Sequence, residues 1–109
     1  MWSGLILALL AAVPTTCGAK DPYGAALCAY QKRSFAEAEA GFRAIVEADE
    51  KEPQTVRATY FLARTLMKRG HFDEAAKLLI RIYGLDKSFY DAWSCDYLLG
   101  ECRRATGKD

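Results

Sequence analysis

The chain has 109 residues, with 15 Lys and Arg against 14 Asp and Glu, and a formal net charge of +1 at pH 7. This length fits one small domain, and so even a charge balance gives no general attraction to nucleic acid or to an anionic membrane. With one histidine, no Cys-x-x-Cys pair and no glycine-rich phosphate loop, the sequence carries no metal-ligand spacing and no nucleotide-binding motif.

The first nineteen residues hold no Lys, Arg, Asp or Glu. Leu5 to Val13 form an apolar core that is shorter than the ~20 residues needed to span a bilayer. Pro14 ends it, and Cys17-Gly18-Ala19 puts small residues where a signal peptidase acts. The expectation is a signal peptide over residues 1–19, cleaved after Ala19, and a mature domain over 20–109 that is exported, whether periplasmic, envelope-associated or secreted. Cys17, directly after the apolar segment, resembles the lipid-attachment cysteine of bacterial lipoproteins and is the alternative processing site. Membrane contact is expected only through such a lipid or through an uncleaved signal.

From Asp21 onward the chain reads as helices. Asp21-Pro22 is a cap followed by proline in the first turn, opening a helix that runs to about Lys32. Ser34-Phe35-Ala36-Glu37 has the form of a capping box and starts a second helix that ends near Ala48. The charged segment Asp49 to Glu52 reads as a solvated turn. Pro53 begins a third helix to about Arg69, with Leu62, Ala63 and Leu66 on one stripe. After the turn at Arg69-Gly70-His71, Phe72, Ala75, Ala76, Leu79 and Ile82 mark a fourth helix to about Tyr83, where Gly84 weakens it. A capping pattern over Ser88 to Asp91 opens a fifth helix from about Phe89 to Ala105, stopped by Gly107.

Offsetting the sequence against itself by thirty-seven residues aligns Tyr23, Tyr60 and Tyr97, then Ala25, Leu62 and Leu99, then Ala26, Ala63 and Gly100. Arg33 meets Gly70 and Gly107; Phe35 meets Phe72, Ala38 meets Ala75, and Phe42 meets Leu79. Matched residue sizes at one fixed period mark stacked supersecondary units. The third unit has only its first helix, and Arg103 and Arg104 stand where the second unit has Leu66 and Met67, as a terminal cap with a wet outer face requires.

Leu62-Ala63 with Ala75-x3-Leu79, Ala38-x3-Phe42 and Leu99-Gly100 are similar to the tetratricopeptide repeat pattern, with Gly70 at the family's turn and Leu85-Asp86 at its unit end. The resemblance covers about Pro22 to Gly107, with a period of thirty-seven residues instead of the usual ~34. It implies an all-α fold, a helical-hairpin repeat stack (α-solenoid) of about two and a half repeats and five helices. It also implies a protein–protein interaction module, a scaffold or adaptor whose concave groove, lined by the first helix of each unit, holds a partner segment.

The groove positions are Tyr23, Tyr30, Leu27 and Gln31 in the first unit, Arg57, Tyr60, Arg64, Met67 and Lys68 in the second, and Tyr97, Glu101 and Arg104 in the third. Tyrosine offers contact area at low entropy cost with a hydroxyl for orientation, and arginine can hold a carboxylate through two hydrogen bonds. A partner segment with acidic groups or a free C-terminus fits this set. The other reading of the same residues is that the tyrosines pack between helices and the arginines solvate the edge. A second alternative is self-association through the open end around Trp93, Cys95, Tyr97 and Leu98, with Trp93 instead covering the last inter-helix seam. No cofactor, metal or nucleic acid is expected.

His71 reads as a turn residue, and Glu37, Glu39, Asp73 and Glu74 sit at helix starts, where they favour the macrodipole; neither group forms a catalytic arrangement. Cys95 and Cys102, seven apart on one helix, have Cα atoms about 10 Å apart, out of disulfide reach. Cys28 and Cys102 are expected to be small buried apolar residues, with Cys95 the candidate for an intermolecular disulfide.

Overall fold

The structure is a computed structural model and describes residues 21–48 and 53–108. The expected signal segment, Cys17 and the connector from Asp49 to Glu52 lie outside the described residues. Six helices follow in order: α1 (Pro22–Gln31), α2 (Phe35–Glu47), α3 (Pro53–Lys68), α4 (Phe72–Leu85), α5 (Lys87–Ala92) and α6 (Cys95–Thr106). Each helix packs on the next, with α6 lying mainly against α4, and α1 also touches α3. This is the expected all-helical stack of hairpins, with six helices where the sequence pattern gave five.

The turns reproduce the repeat in backbone geometry. Arg33, Gly70 and Gly107, each thirty-seven residues from the next, have φ of 65°, 84° and 75°. One residue after each, the same hydrogen bond recurs: Ser34 N–H to Ala29 O at 2.9 Å, His71 N–H to Leu66 O at 2.8 Å and Lys108 N–H to Arg103 O at 2.8 Å. Such bonds close a helix by returning the chain to its last free carbonyls. The first two turns lead at once into α2 and α4.

One core runs through the stack. Ala38 and Phe42 of α2, Leu62, Ala63 and Leu66 of α3, and Ala75, Leu79 and Ile82 of α4 are buried, and they are the stripes that helical periodicity assigns to one face. Small residues let the helices approach. A Cβ built on Gly41 would lie 2.8 Å from Ala26 Cβ. Thr59 and Thr65 are buried because each hydroxyl is satisfied inside α3, donating to Thr55 O at 2.8 Å and Phe61 O at 2.7 Å. Phe61 is the aromatic hub: it stacks on Phe42 at 5.7 Å and meets Tyr30 edge-on at 5.5 Å and Trp93 at 6.3 Å.

Five local expectations are corrected. The fifth helix is broken: Ser94 has φ 53° and separates α5 from α6, with its N–H bonded to Asp91 O. The aromatic residues before the break then pack in two directions, Tyr90 against Tyr83 at 5.1 Å and Trp93 against Tyr60 at 5.0 Å. Asp86, not the Ser88 to Asp91 stretch, caps α5 by accepting from Phe89 N–H at 3.0 Å, and α4 continues past Gly84 to Leu85. Ser34 makes no side-chain cap hydrogen bond; its N–H instead closes the end of α1 by donating to Ala29 O at 2.9 Å. Cys28 is disulfide-bonded, not a buried thiol, whereas Cys95 and Cys102 are free and buried.

The candidate groove and its electrostatics

The first helices α1, α3 and α6 carry the candidate site residues, and the structure sorts them by burial. Tyr60 is buried, its ring against Phe61, Phe89 and Trp93 at 5.1, 5.8 and 5.0 Å. Tyr23 is half-buried against Phe42 and Phe61, and burial pushes its hydroxyl pKa up while the nearby Arg57 charge offsets part of that. Tyr97 is 61% exposed. The three repeat-related tyrosines therefore form a graded series, with two seated among the helices and one free.

Arg64 is the centre of the charged set. Its Nη1 donates to the Tyr60 hydroxyl at 3.2 Å, and its guanidinium lies 5.8 Å from that ring centroid. Burial works against the cation, but the Tyr60 bond and the proximity of Tyr30 and Glu101 outweigh it, and its pKa is raised. These neighbours lie on α1 and α6, so the Arg64 charge is felt across the three first helices while its hydrogen bond stays within α3. Beside it on α6, the Glu101 carboxylate raises the Tyr97 hydroxyl pKa and Arg104 works in the opposite direction.

The remaining candidates are less concentrated. Met67 is half-buried and packs on the core, while Arg57, Lys68 and Arg104 are exposed. Leu27 and Gln31 line a shallow depression on α1 with Gly24, Cys28 and Lys32. At the proposed self-association end, Cys95 and Leu98 are buried, and Trp93 stacks on Phe89 at 4.6 Å and covers Tyr60. Trp93 thus seals the seam between α3 and α5.

A second charged group escaped sequence reasoning. Glu39 on α2 accepts from Arg43 and from Arg69, both at 2.9 Å, and Arg43 also bonds Glu74 at 2.9 Å. This network ties α2 to the turn after α3 and to the start of α4. Burial would raise the Glu39 pKa, but the Arg43 bond and the Arg69 charge hold it below its ordinary value. It is structural: every carboxylate and guanidinium in it has a partner.

Residues 60–109 match the family model of the tetratricopeptide repeat. That span holds α4, α5 and α6 and the last part of α3. No curated protein and no solved structure is significantly similar to the chain. Among the described residues, no group of three or more His, Cys, Asp and Glu is placed to hold a metal ion, and no helix is long and apolar enough to cross a membrane.

Proposed function

We propose that the chain is a member of the tetratricopeptide repeat family that works as an exported protein–protein interaction module. It would hold a partner segment bearing acidic groups or a free C-terminus on the face around Arg64. The single observation that carries this reading is the Arg64 guanidinium, held on the Tyr60 hydroxyl at 3.2 Å and only half-buried, on the same first-helix series as exposed Tyr97 and Arg104. Arg64, always protonated at neutral pH, places a fixed positive charge there. A partner carboxylate can take the guanidinium donors that Tyr60 leaves free and stack its chain on Tyr97. The match over residues 60–109 supports the interaction-module class, because repeats of this family generally bind other proteins.

Burial favours a binding module over a thiol enzyme. The Cys95 thiol is pushed up to about 11 and Cys102 is raised as well, both mainly by burial, whereas a nucleophilic cysteine needs its pKa lowered. The mass of the mature N-terminus tests export directly, separating cleavage after Ala19, a lipid-modified Cys17 and an uncleaved chain.

The binding test is an Arg64→Ala, Tyr97→Ala double variant, with buried Tyr60 left intact so that the core is undisturbed. Partner proteins captured by the natural chain should be lost, and the far-ultraviolet circular-dichroism signal should be kept. Synthetic peptides with free and amidated C-termini then read the carboxylate preference. Full capture by the double variant would overturn the Arg64 face as the binding surface.

A further inference from the structure

The groove side of α3 concentrates charge of one sign. Its 16 residues hold Arg57, Arg64 and Lys68 and no carboxylate, although the whole chain is close to neutral at +1. At ~100° per residue these three cations fall within about 40° of one another, on the side of α3 away from buried Leu62 and Leu66. Arg57 and Lys68 are exposed and Arg64 is half-buried. Among the described residues none of the three has an ion pair, whereas Arg43, Arg69, Lys87 and Lys108 each hold a carboxylate.

Two aromatic rings flank this line. Tyr60 leans toward α5, where it meets Phe89 and Trp93 at 5.8 and 5.0 Å. Phe61 leans toward α1, where it meets Tyr23 and Tyr30 at 6.5 and 5.5 Å, and keeps part of its surface open. The face lies in the middle of the stack, between α1 and α5. Like charges one turn apart, as at Arg64 and Lys68, repel each other, and an anionic occupant relieves that repulsion. Spacing sets the occupant's shape. Measured from Lys68 along the axis, Arg64, Phe61 and Arg57 stand at about 6, 10.5 and 16.5 Å. A helix laid alongside meets these heights at its own i, i+4, i+7 and i+11 positions, all on one stripe. Same-face residues of a strand recur every ~6.8 Å and drift out of register. Three cations in one line, on a chain this close to neutral, lack the extended basic surface that a nucleic acid requires.

We infer that this face docks an acidic helix of another protein, running antiparallel to α3. Its carboxylates at i, i+4 and i+11 would meet Lys68, Arg64 and Arg57, and an apolar residue at i+7 would seat on Phe61. The antiparallel direction sets the acidic first turn of the partner against its own positive dipole end and beside the negative end of α3. The inference rests on the Arg64 face being a binding surface, and adds the shape and charge spacing of what binds there.

The probe is a fluorescein-labelled, end-blocked alanine–glutamine peptide of eighteen residues, with glutamate at its fourth, eighth and fifteenth positions and leucine at its eleventh. Fluorescence anisotropy with the full chain should show saturable binding. An isomer with glutamates at the fourth, ninth and fourteenth positions has the same charge spread round the helix, and should bind more weakly by about tenfold or more, equivalent to ~1.4 kcal/mol. The Arg57→Ser, Lys68→Ser chain should weaken the first peptide as much. Both residues are exposed, so this variant should keep the circular-dichroism signal. Absence of saturable binding, or equal binding by the isomer or by the double variant, overturns the inference. Equal binding by a version with proline at the ninth position, which breaks the helix, also overturns it. Tighter binding by an oligothymidylate of eighteen nucleotides does the same, by giving the face to a nucleic acid. Partner capture separates the two readings. Capture lost in Arg64→Ala with Tyr97→Ala but unchanged in Arg57→Ser with Lys68→Ser keeps the Arg64 face and strikes the acidic-helix inference alone.

Discussion

Gly41 on α2 faces Ala26 on α1 so closely that a Cβ at position 41 would stand 2.8 Å from Ala26 Cβ and 3.4 Å from its Cα. No real pair of methyl groups sits that close, so the first hairpin must open slightly to admit one. Overpacking of this kind costs about 1–3 kcal/mol, against a gain of ~1 kcal/mol in helix propensity on replacing glycine by alanine. Gly41→Ala should therefore lower stability in urea unfolding by a net ~1 kcal/mol. Adding Ala26→Gly to that variant should recover the loss in part, because it removes the clashing methyl. A Gly41→Ala chain more stable than the natural one would show that the approach is looser than described.

The turns offer a change in the other direction. Arg33 has φ 65° where the two later units have Gly70 and Gly107. A side chain in the left-handed region costs about 1–2 kcal/mol, and the Arg33 guanidinium, 5.5 Å from the Phe35 ring centroid, returns only ~0.5 kcal/mol at an exposed site. Arg33→Gly should stabilise the chain by ~1 kcal/mol, and Gly70→Ala should destabilise it by about as much. Thermal unfolding of both variants checks the pair, and the argument fails if they shift the midpoint in the same direction.

These turns were readable from the thirty-seven-residue offset, because a repeat must return to the same backbone conformation at the same place. The apolar stripes Leu62–Leu66 and Ala75–Leu79–Ile82 were readable for a similar reason: helical spacing decides which face is buried. Phe61 was not. It lies between Tyr60 and Leu62, and adjacent residues on a helix point ~100° apart, so periodicity alone does not give its face. Its repeat equivalents, Gly24 and Leu98, also conceal its aromatic role. The Glu39–Arg69 bond joins residues thirty apart, a separation with no local pattern. The break at Ser94 follows from where Tyr90 and Trp93 find partners, and those partners, Tyr83 and Tyr60, are tertiary. At the candidate site, residue type was legible and exposure was not. Tyr60 and Tyr97 have identical places in the repeat, yet one is buried because Phe89 and Trp93 cover it.

The Glu39 network sets a pH dependence. The Glu39 pKa in the folded chain is held below its ordinary value of 4.5, so the unfolded chain binds the proton more readily as the solution is acidified. The stabilisation is fully present above 4.5 and is lost as pH falls through the lower folded value. Urea unfolding between about pH 6 and pH 3 should show stability declining with acid, and Glu39→Gln should flatten part of that decline. The variant should also be less stable at neutral pH, since Arg43 and Arg69 lose a charged partner. An unchanged slope in Glu39→Gln would assign the acid sensitivity to other carboxylates.

The free thiols give a probe of the third unit. Cys95 and Cys102 are buried on α6, and burial holds Cys95 protonated up to about 11. Thiolate is the reacting species, so both shielding and the raised pKa suppress alkylation. With iodoacetamide at about pH 8, peptide mass spectrometry should find both residues unmodified in the native chain and modified in urea. The same shift makes stability fall as pH rises from the ordinary thiol value of 9.0 toward 11, because the unfolded chain loses the Cys95 proton first. Ile80→Glu should leave this protection in place, since Ile80 is exposed on α4. Breaking the packing of α6 on α4 with Leu79→Ala should expose both cysteines together, and should cost about 2–5 kcal/mol as a buried large-to-small change. Rapid native labelling of Cys102 with Cys95 still protected would mean that α6 frays from its C-terminal turn independently of the break at Ser94.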